Sequence, residues 1–189
     1  MRLFVAADVS PELRGRLTAL QERLRDVPLD LRLVRPSGIH LTLRFIGETA
    51  EERLDDIVTA LAAPASAGLS CFTLRAAGLG VFPPHGTPRV IWIDLGGDRE
   101  AAARLAAAVE AALVRCGLSP EIRPFKPHLT VARVRGAKRG DWQAALAALA
   151  EERLGELLVD RYHLYESQLA RDGATYRKLS TWALSGGAE

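Results

Sequence analysis

Two short segments of this 189-residue chain repeat one pattern 88 positions apart (128 − 40): His40-Leu41-Thr42-Leu43 and His128-Leu129-Thr130-Val131. The chain has 4 histidines, so half of them stand in the same frame. On an extended strand, residues i and i+2 share a face, so each imidazole points with its threonine hydroxyl while the apolar neighbours point away. Brought face to face, the two segments would set two proton-transfer groups and two hydroxyl donors around one small volume. That set suits a phosphate ester. When a strained five-membered cyclic phosphodiester is hydrolysed, the attacking water loses a proton and the departing ribose oxygen gains one on the opposite side of phosphorus. A neutral histidine as base and a protonated histidine as acid cover both transfers. Threonine hydroxyls already in place can hold the non-bridging oxygens.

The scheme needs no metal. Cys71 and Cys116 have neither metal-ligand spacing nor a disulfide framework, so no metal and no cofactor is expected. Arg133 lies three residues after Thr130. Strict alternation would turn it to the Leu129/Val131 side, where a buried guanidinium is costly, so a bulge or twist is expected to return it to the groove as a phosphate contact. It belongs to a basic run of Arg123, Lys126, Arg133, Arg135, Lys138 and Arg139, with no acid between Glu121 and Asp141. Such a run attracts a polyanion, although Arg135, Lys138 and Arg139 read better as a solvated rim. His85 and His163 lack a threonine at i+2 and read as surface or packed residues. Trp92, Trp182 and Phe82 read as core. Phe4 and Tyr176 could stack on a base, with core packing the simpler fate of Phe4.

Helices and strands must position these groups. Ser10-Pro11-Glu12 starts a helix over 11–25, with Leu13, Leu17, Leu20 and Leu24 at helical spacing. Thr49-Ala50-Glu51-Glu52 has the form of a capping box, ahead of Leu54, Ile57, Val58 and Leu61. Asp98 opens an alanine-rich helix that Gly117 closes, and Asp141 opens another to about Leu154. Strand patterns fall at 2–8, 30–34, 39–46, 71–78, 88–95, 121–125, 128–134, 157–170 and 174–184. Residues 39–46 alternate most cleanly, Ile39, Leu41, Leu43 and Phe45 against His40, Thr42 and Arg44. The proline-bearing stretch 80–89 reads as a rigid loop. A strand, helix, His-x-Thr strand and helix thus recur, over Leu3 to about Ala63 and again from about Val90 to 154. The expected fold is α+β, two antiparallel-rich lobes flanking a central cleft, with residues 1–189 a single domain of two intertwined lobes that each supply one tetrad.

Bulk properties exclude little beyond membranes and scaffolds. Hydrophobic content of 48% and charged content of 25% are ordinary for a globular chain, and a net charge of +2 is too small to argue for wholesale nucleic-acid binding. No stretch approaches a membrane span or a secretory leader, so a cytoplasmic location is the default.

Beyond the tetrads, several pieces keep a recognisable order. They include Arg2-Leu3-Phe4-Val5-Ala6, Ile39 through Gly47, Gly80-Val81-Phe82-Pro83-Pro84, Pro88-Arg89-Val90-Ile91-Trp92, Pro124 through Arg133, Leu164-Tyr165-Glu166-Ser167 and Gly173-Ala174-Thr175-Tyr176. On these the chain resembles the two-histidine (2H) phosphoesterase superfamily, and within it the RNA 2′,3′-cyclic phosphodiesterase branch, also called 2′-5′ RNA ligase. The resemblance implies a bilobal fold with facing tetrads and hydrolysis of a terminal 2′,3′-cyclic phosphate of RNA to a 2′-phosphate. It also implies His40 as proton donor, His128 as proton acceptor, and Thr42, Thr130 and Arg133 as phosphate ligands. The residues alone do not say which histidine plays which part, and they assign no role to Phe4, Arg44, Lys126 or Tyr176. They call for no membrane and no obligate protein partner. Two other readings stay open, a ligase running the same chemistry backwards and a module that binds RNA ends without chemistry.

Overall fold

The computed structural model describes residues 1–137, 140–150, 152–170 and 173–187. Its strands are Arg2–Asp8 (β1), Leu29–Leu33 (β2), His40–Glu48 (β3), Phe72–Phe82 (β4), Val90–Gly97 (β5), His128–Ala137 (β6), Arg153–Val159 (β7), Arg161–Ala170 (β8) and Gly173–Ala183 (β9). Helices are Pro11–Leu24 (α1), Leu54–Ser66 (α2), Arg99–Arg115 (α3) and Trp142–Ala147 (α4). The expected α+β class holds. All strands join one sheet in the order β7-β4-β5-β6-β3-β1-β8-β9, with β2 beside β6. Exchanging β1 with β5, β3 with β6, β8 with β4 and β9 with β7 maps that order onto itself. The centre of this palindrome is the β3–β6 contact, where Leu41 pairs with Leu129. The repeats are not self-contained, however, because α1 packs against β6 and β7 while α3 packs against β3 and β4.

Local chemistry explains the helix ends. Ser10 accepts from the Leu13 amide at 3.2 Å, and Leu13, Leu17, Leu20 and Leu24 are buried as their spacing predicts. Asp98 and Asp141 cap α3 and α4 in the same way, each accepting an amide three residues on at 2.9 Å. Gly117 closes α3 with φ +87, where a side chain would be strained. Five expectations need correction. The Thr49 hydroxyl bonds the Gly47 carbonyl instead of capping, and α2 starts at Leu54 after a 3-10 turn, Glu51–Arg53. The helix from Asp141 stops at Ala147, and Leu154 lies in β7. Residues 121–125 form no strand, and the run 157–170 is divided between β7 and β8 at Asp160. Gly80, Val81 and Phe82, read as loop, complete β4.

Each tetrad strand carries an irregularity just past its threonine. In β3, Ala6 pairs with Thr42 but Val5 pairs with Arg44, so Leu43 is the extra residue. In β6, Trp92 pairs with Thr130 but Ile91 pairs with Ala132, so Val131 is the extra residue. A bulge shifts the two-residue period by one, which returns the residue three past each threonine to the histidine face. Arg133 is therefore exposed, by the device expected of it. Phe45 comes round as well, 53% exposed, and the alternation read through Phe45 stops at Leu43. Arg44 turns the other way, against Glu110 and Glu121, and donates to the Ser119 carbonyl at 2.6 Å.

Gln21, a buried amide on α1, fixes the β6 bulge by donating to the Val34 carbonyl at 2.7 Å and the Val131 carbonyl at 2.8 Å. Gln21→Leu takes the side-chain donor from the Val34 carbonyl and leaves the Val131 carbonyl with the Val34 amide alone, at a cost of about 1–3 kcal/mol for a buried polar group left short of a donor. Urea unfolding of the variant should show that loss at unchanged m-value.

Candidate active site

Leu41 and Leu129 are fully buried on one side of the sheet. Continuing their antiparallel register by one residue each way sets His40 across from Thr130 and Thr42 across from His128. The two imidazoles and two hydroxyls of the tetrads thus share the face opposite those leucines.

The His40 ring stacks on Phe4 at 4.7 Å between centroids and meets Tyr176 edge-on at 5.3 Å. Burial pushes its pKa down to about 4, with the Gly38 backbone and the Asp8 carboxylate pulling upward and the His128 charge pushing further down. That last effect marks the two histidines as electrostatic neighbours. His128 holds its Nδ1 2.7 Å from the Lys126 carbonyl, which fixes the proton there and leaves Nε2 for chemistry. Its ring lies edge-on to Phe82 (5.4 Å) and Trp92 (5.9 Å), and the Lys126 ammonium sits 4.2 Å over the Trp92 ring. Trp92 is core, as the sequence suggests, yet it also borders the site opposite Thr130 in register. Its buried indole N–H has no hydrogen-bond partner among the described residues. A Cβ on Gly80 would come within 2.3 Å of this indole, so only glycine lets the ring lie there.

Sequence reasoning missed the carboxylates. Asp8 pairs in register with His40, and Asp94, its counterpart under the sheet's palindrome, pairs with His128. Asp94 is ion-paired to Arg99. Asp8 accepts from the Tyr165 hydroxyl and from Lys178 Nζ at 2.9 Å, and lies 3.5 Å from Nε2 of His163. Burial pulls the Asp8 carboxyl upward, but the bonds from Tyr165 and Lys178 outweigh it and hold the group below its usual range. His163 is 2% exposed, with its pKa pushed down to about 4 by burial, and its Nδ1 lies 2.8 Å from the Thr181 hydroxyl. It is a packed residue under the site. The signal available was the repeat itself, since Asp8 and Asp94 occupy matched places in the strands that precede α1 and α3.

Of the basic run, Arg123 pairs with Glu121 at 3.0 Å, Lys126 covers Trp92, and Arg133 and Arg135 are exposed. Lys138 and Arg139 lie outside the described residues. Among the described residues no group of three or more His, Cys, Asp or Glu side chains could hold a metal ion, and no helix is long and apolar enough to cross a membrane.

Residues 9–171 match the family model of the 2′-5′ RNA ligase superfamily. The chain is 35% identical over 169 residues to the RNA 2′,3′-cyclic phosphodiesterase of Aeropyrum pernix, covering 87% of this chain and 93% of that protein. It is 34% identical over 179 residues to the protein of the same name from Archaeoglobus fulgidus, covering 95% and 98%. Among solved structures, a Thermus thermophilus protein superposes with a TM-score of 0.82 at 30% identity, covering 98% of this chain and 99% of that one. Escherichia coli LigT in complex with 3′-AMP superposes with a TM-score of 0.79 at 26% identity, covering 97% and 98%.

Proposed function

Because the chain belongs to the 2′-5′ RNA ligase superfamily, we propose that it hydrolyses the terminal 2′,3′-cyclic phosphate of RNA to a 2′-phosphomonoester without a metal. The observation that carries this reading is the central register, which gathers two imidazoles and two hydroxyls on one face. Curated relatives named RNA 2′,3′-cyclic phosphodiesterase support the same activity. In the proposed reaction, Nε2 of His128 takes a proton from water as its oxygen bonds to phosphorus. The P–O3′ bond breaks, its electron pair stays on O3′, and His40 gives that oxygen a proton. Thr42, Thr130 and Arg133 hold the non-bridging oxygens. His40, neutral in the empty site at pH 7, is charged when the phosphate anion replaces water beside it. Residues 1–189 act in this reading as one unit, each intertwined lobe supplying one tetrad. RNA is the partner, and the reaction fits a cytoplasmic setting.

The test is incubation of an oligoribonucleotide ending in a 2′,3′-cyclic phosphate, in EDTA, followed by identification of the product isomer. A 2′-phosphate end with a free 3′ hydroxyl is expected. A 3′-phosphate end, tight binding without turnover, or joined RNA halves as the sole product would each reject the proposal.

A further inference from the structure

A cavity of about 520 Å³ is walled by Phe4, Phe45 and Tyr176 and reaches Arg133, Arg32 and Arg2, and two of its walls, Phe4 and Tyr176, pack on the His40 ring. Its size falls in the range of specific ligand sites, roughly 300–1,000 Å³. Arg32 and Arg133 are directly opposite each other on β2 and β6, and both are exposed. Like charges placed so cost stability. Neither makes an ion pair among the described residues, unlike Arg123, which is engaged by Glu121. An anion between or beside the two guanidiniums removes that cost.

The cavity also lies on one particular side of the chemistry. Phe4 and Tyr176 touch His40, whereas the flank of His128 is filled by Phe82, Trp92 and the Lys126 side chain. In-line displacement puts the water and the departing ribose oxygen on opposite sides of phosphorus, so the rest of the RNA must lie with the leaving oxygen. We infer that this cavity seats the nucleotides on the 5′ side of the reacting ribose. Arg32 and Arg2 take their phosphates, and the exposed ring of Phe45 stacks on a base. The β3 bulge that turns Phe45 to this face and the β6 bulge that turns Arg133 there thus serve one strand. This rests on the activity proposed above and adds that the enzyme grips a strand beyond the terminal nucleotide.

The experiment compares kcat/KM for a nucleoside 2′,3′-cyclic phosphate with that for a pentaribonucleotide carrying the same end. The oligonucleotide should be preferred, and Arg32→Ala should cut the preference by about tenfold, the worth of one charge-assisted contact. Anisotropy titrations of a fluorescent pentaribonucleotide ending in 2′-phosphate, at several salt concentrations, read binding apart from turnover. The Arg2→Ala/Arg32→Ala double variant should lower the log–log salt slope by about 1.4, roughly 0.7 per single-strand phosphate released. Arg104→Ala, on the exposed side of α3, serves as the charge control and should change neither quantity. Equal turnover of short and long substrates, or a preference and salt slope unchanged by the arginine substitutions, overturns the strand seat while leaving the hydrolytic reading intact. Wild-type protein that turns over neither substrate rejects hydrolysis, and the salt slope then decides the strand seat alone.

Discussion

His128→Ala and His40→Ala should each lower kcat for an RNA 2′,3′-cyclic phosphate end by about 10²–10⁴-fold, the usual contribution of a positioned acid or base. The double variant should be little worse than the poorer single one, because two groups that move protons in one displacement act as a unit. Folding should survive. Both rings are only partly buried, and the apolar anchors of the centre are Leu41 and Leu129, which neither substitution touches. Single-turnover rates, with circular dichroism to confirm the fold, make the measurement. Activity within a few-fold of wild type in either single variant would remove that imidazole from the chemistry. If the two variants fell by very different factors, the milder loss would identify the histidine whose proton transfer bulk water replaces more easily.

The tetrads and the bulge at Arg133 were legible in the sequence because they are short-range facts. A two-residue period fixes the shared face of His40 and Thr42, and the cost of a buried guanidinium argues for a shift before Arg133. The palindromic sheet was half-legible. The two repeats predicted matching strands, but exchange of α1 and α3 between the halves depends on how long connections cross the sheet, which no local pattern encodes. The β3 bulge was invisible for a different reason. Leu43 and Phe45 are both apolar, so alternation continued on paper through the residue where the ladder slips. Thr49 illustrates a third kind of miss, since its hydroxyl found the Gly47 carbonyl before it could serve as a cap. Asp8 and Asp94 escaped notice because a carboxylate at a strand end reads as an ordinary solvated residue. Only the register against the histidines gives them a place in the site.

The pH dependence of kcat/KM should carry one limb near 4. This parameter reports the free enzyme, and in the empty site burial lowers His40 from its ordinary 6.5 to about 4. The difference, 6.5 − 4 = 2.5 pH units, is about 300-fold in proton affinity. The sign is fixed by which form burial disfavours. Imidazolium is the costly form, so the protonated ring disappears as pH rises through 4 and neutral His40 prevails above it. The limb belongs to His40 whether that residue starts as acid or as base, because kcat/KM depends only on where each group titrates in the free enzyme. In kcat the same limb should move toward neutrality, since a bound phosphate anion favours the charged ring that packing on Phe4 and Tyr176 disfavours. Asp8→Asn supplies the second reading. Its carboxylate pulls the His40 pKa upward, so its loss should shift the kcat/KM limb to still lower pH. A free-enzyme profile with no limb near 4 would mean that His40 is solvated when the site is empty, and a limb near 4 that moved upward in Asp8→Asn would rule out the carboxylate as its electrostatic partner.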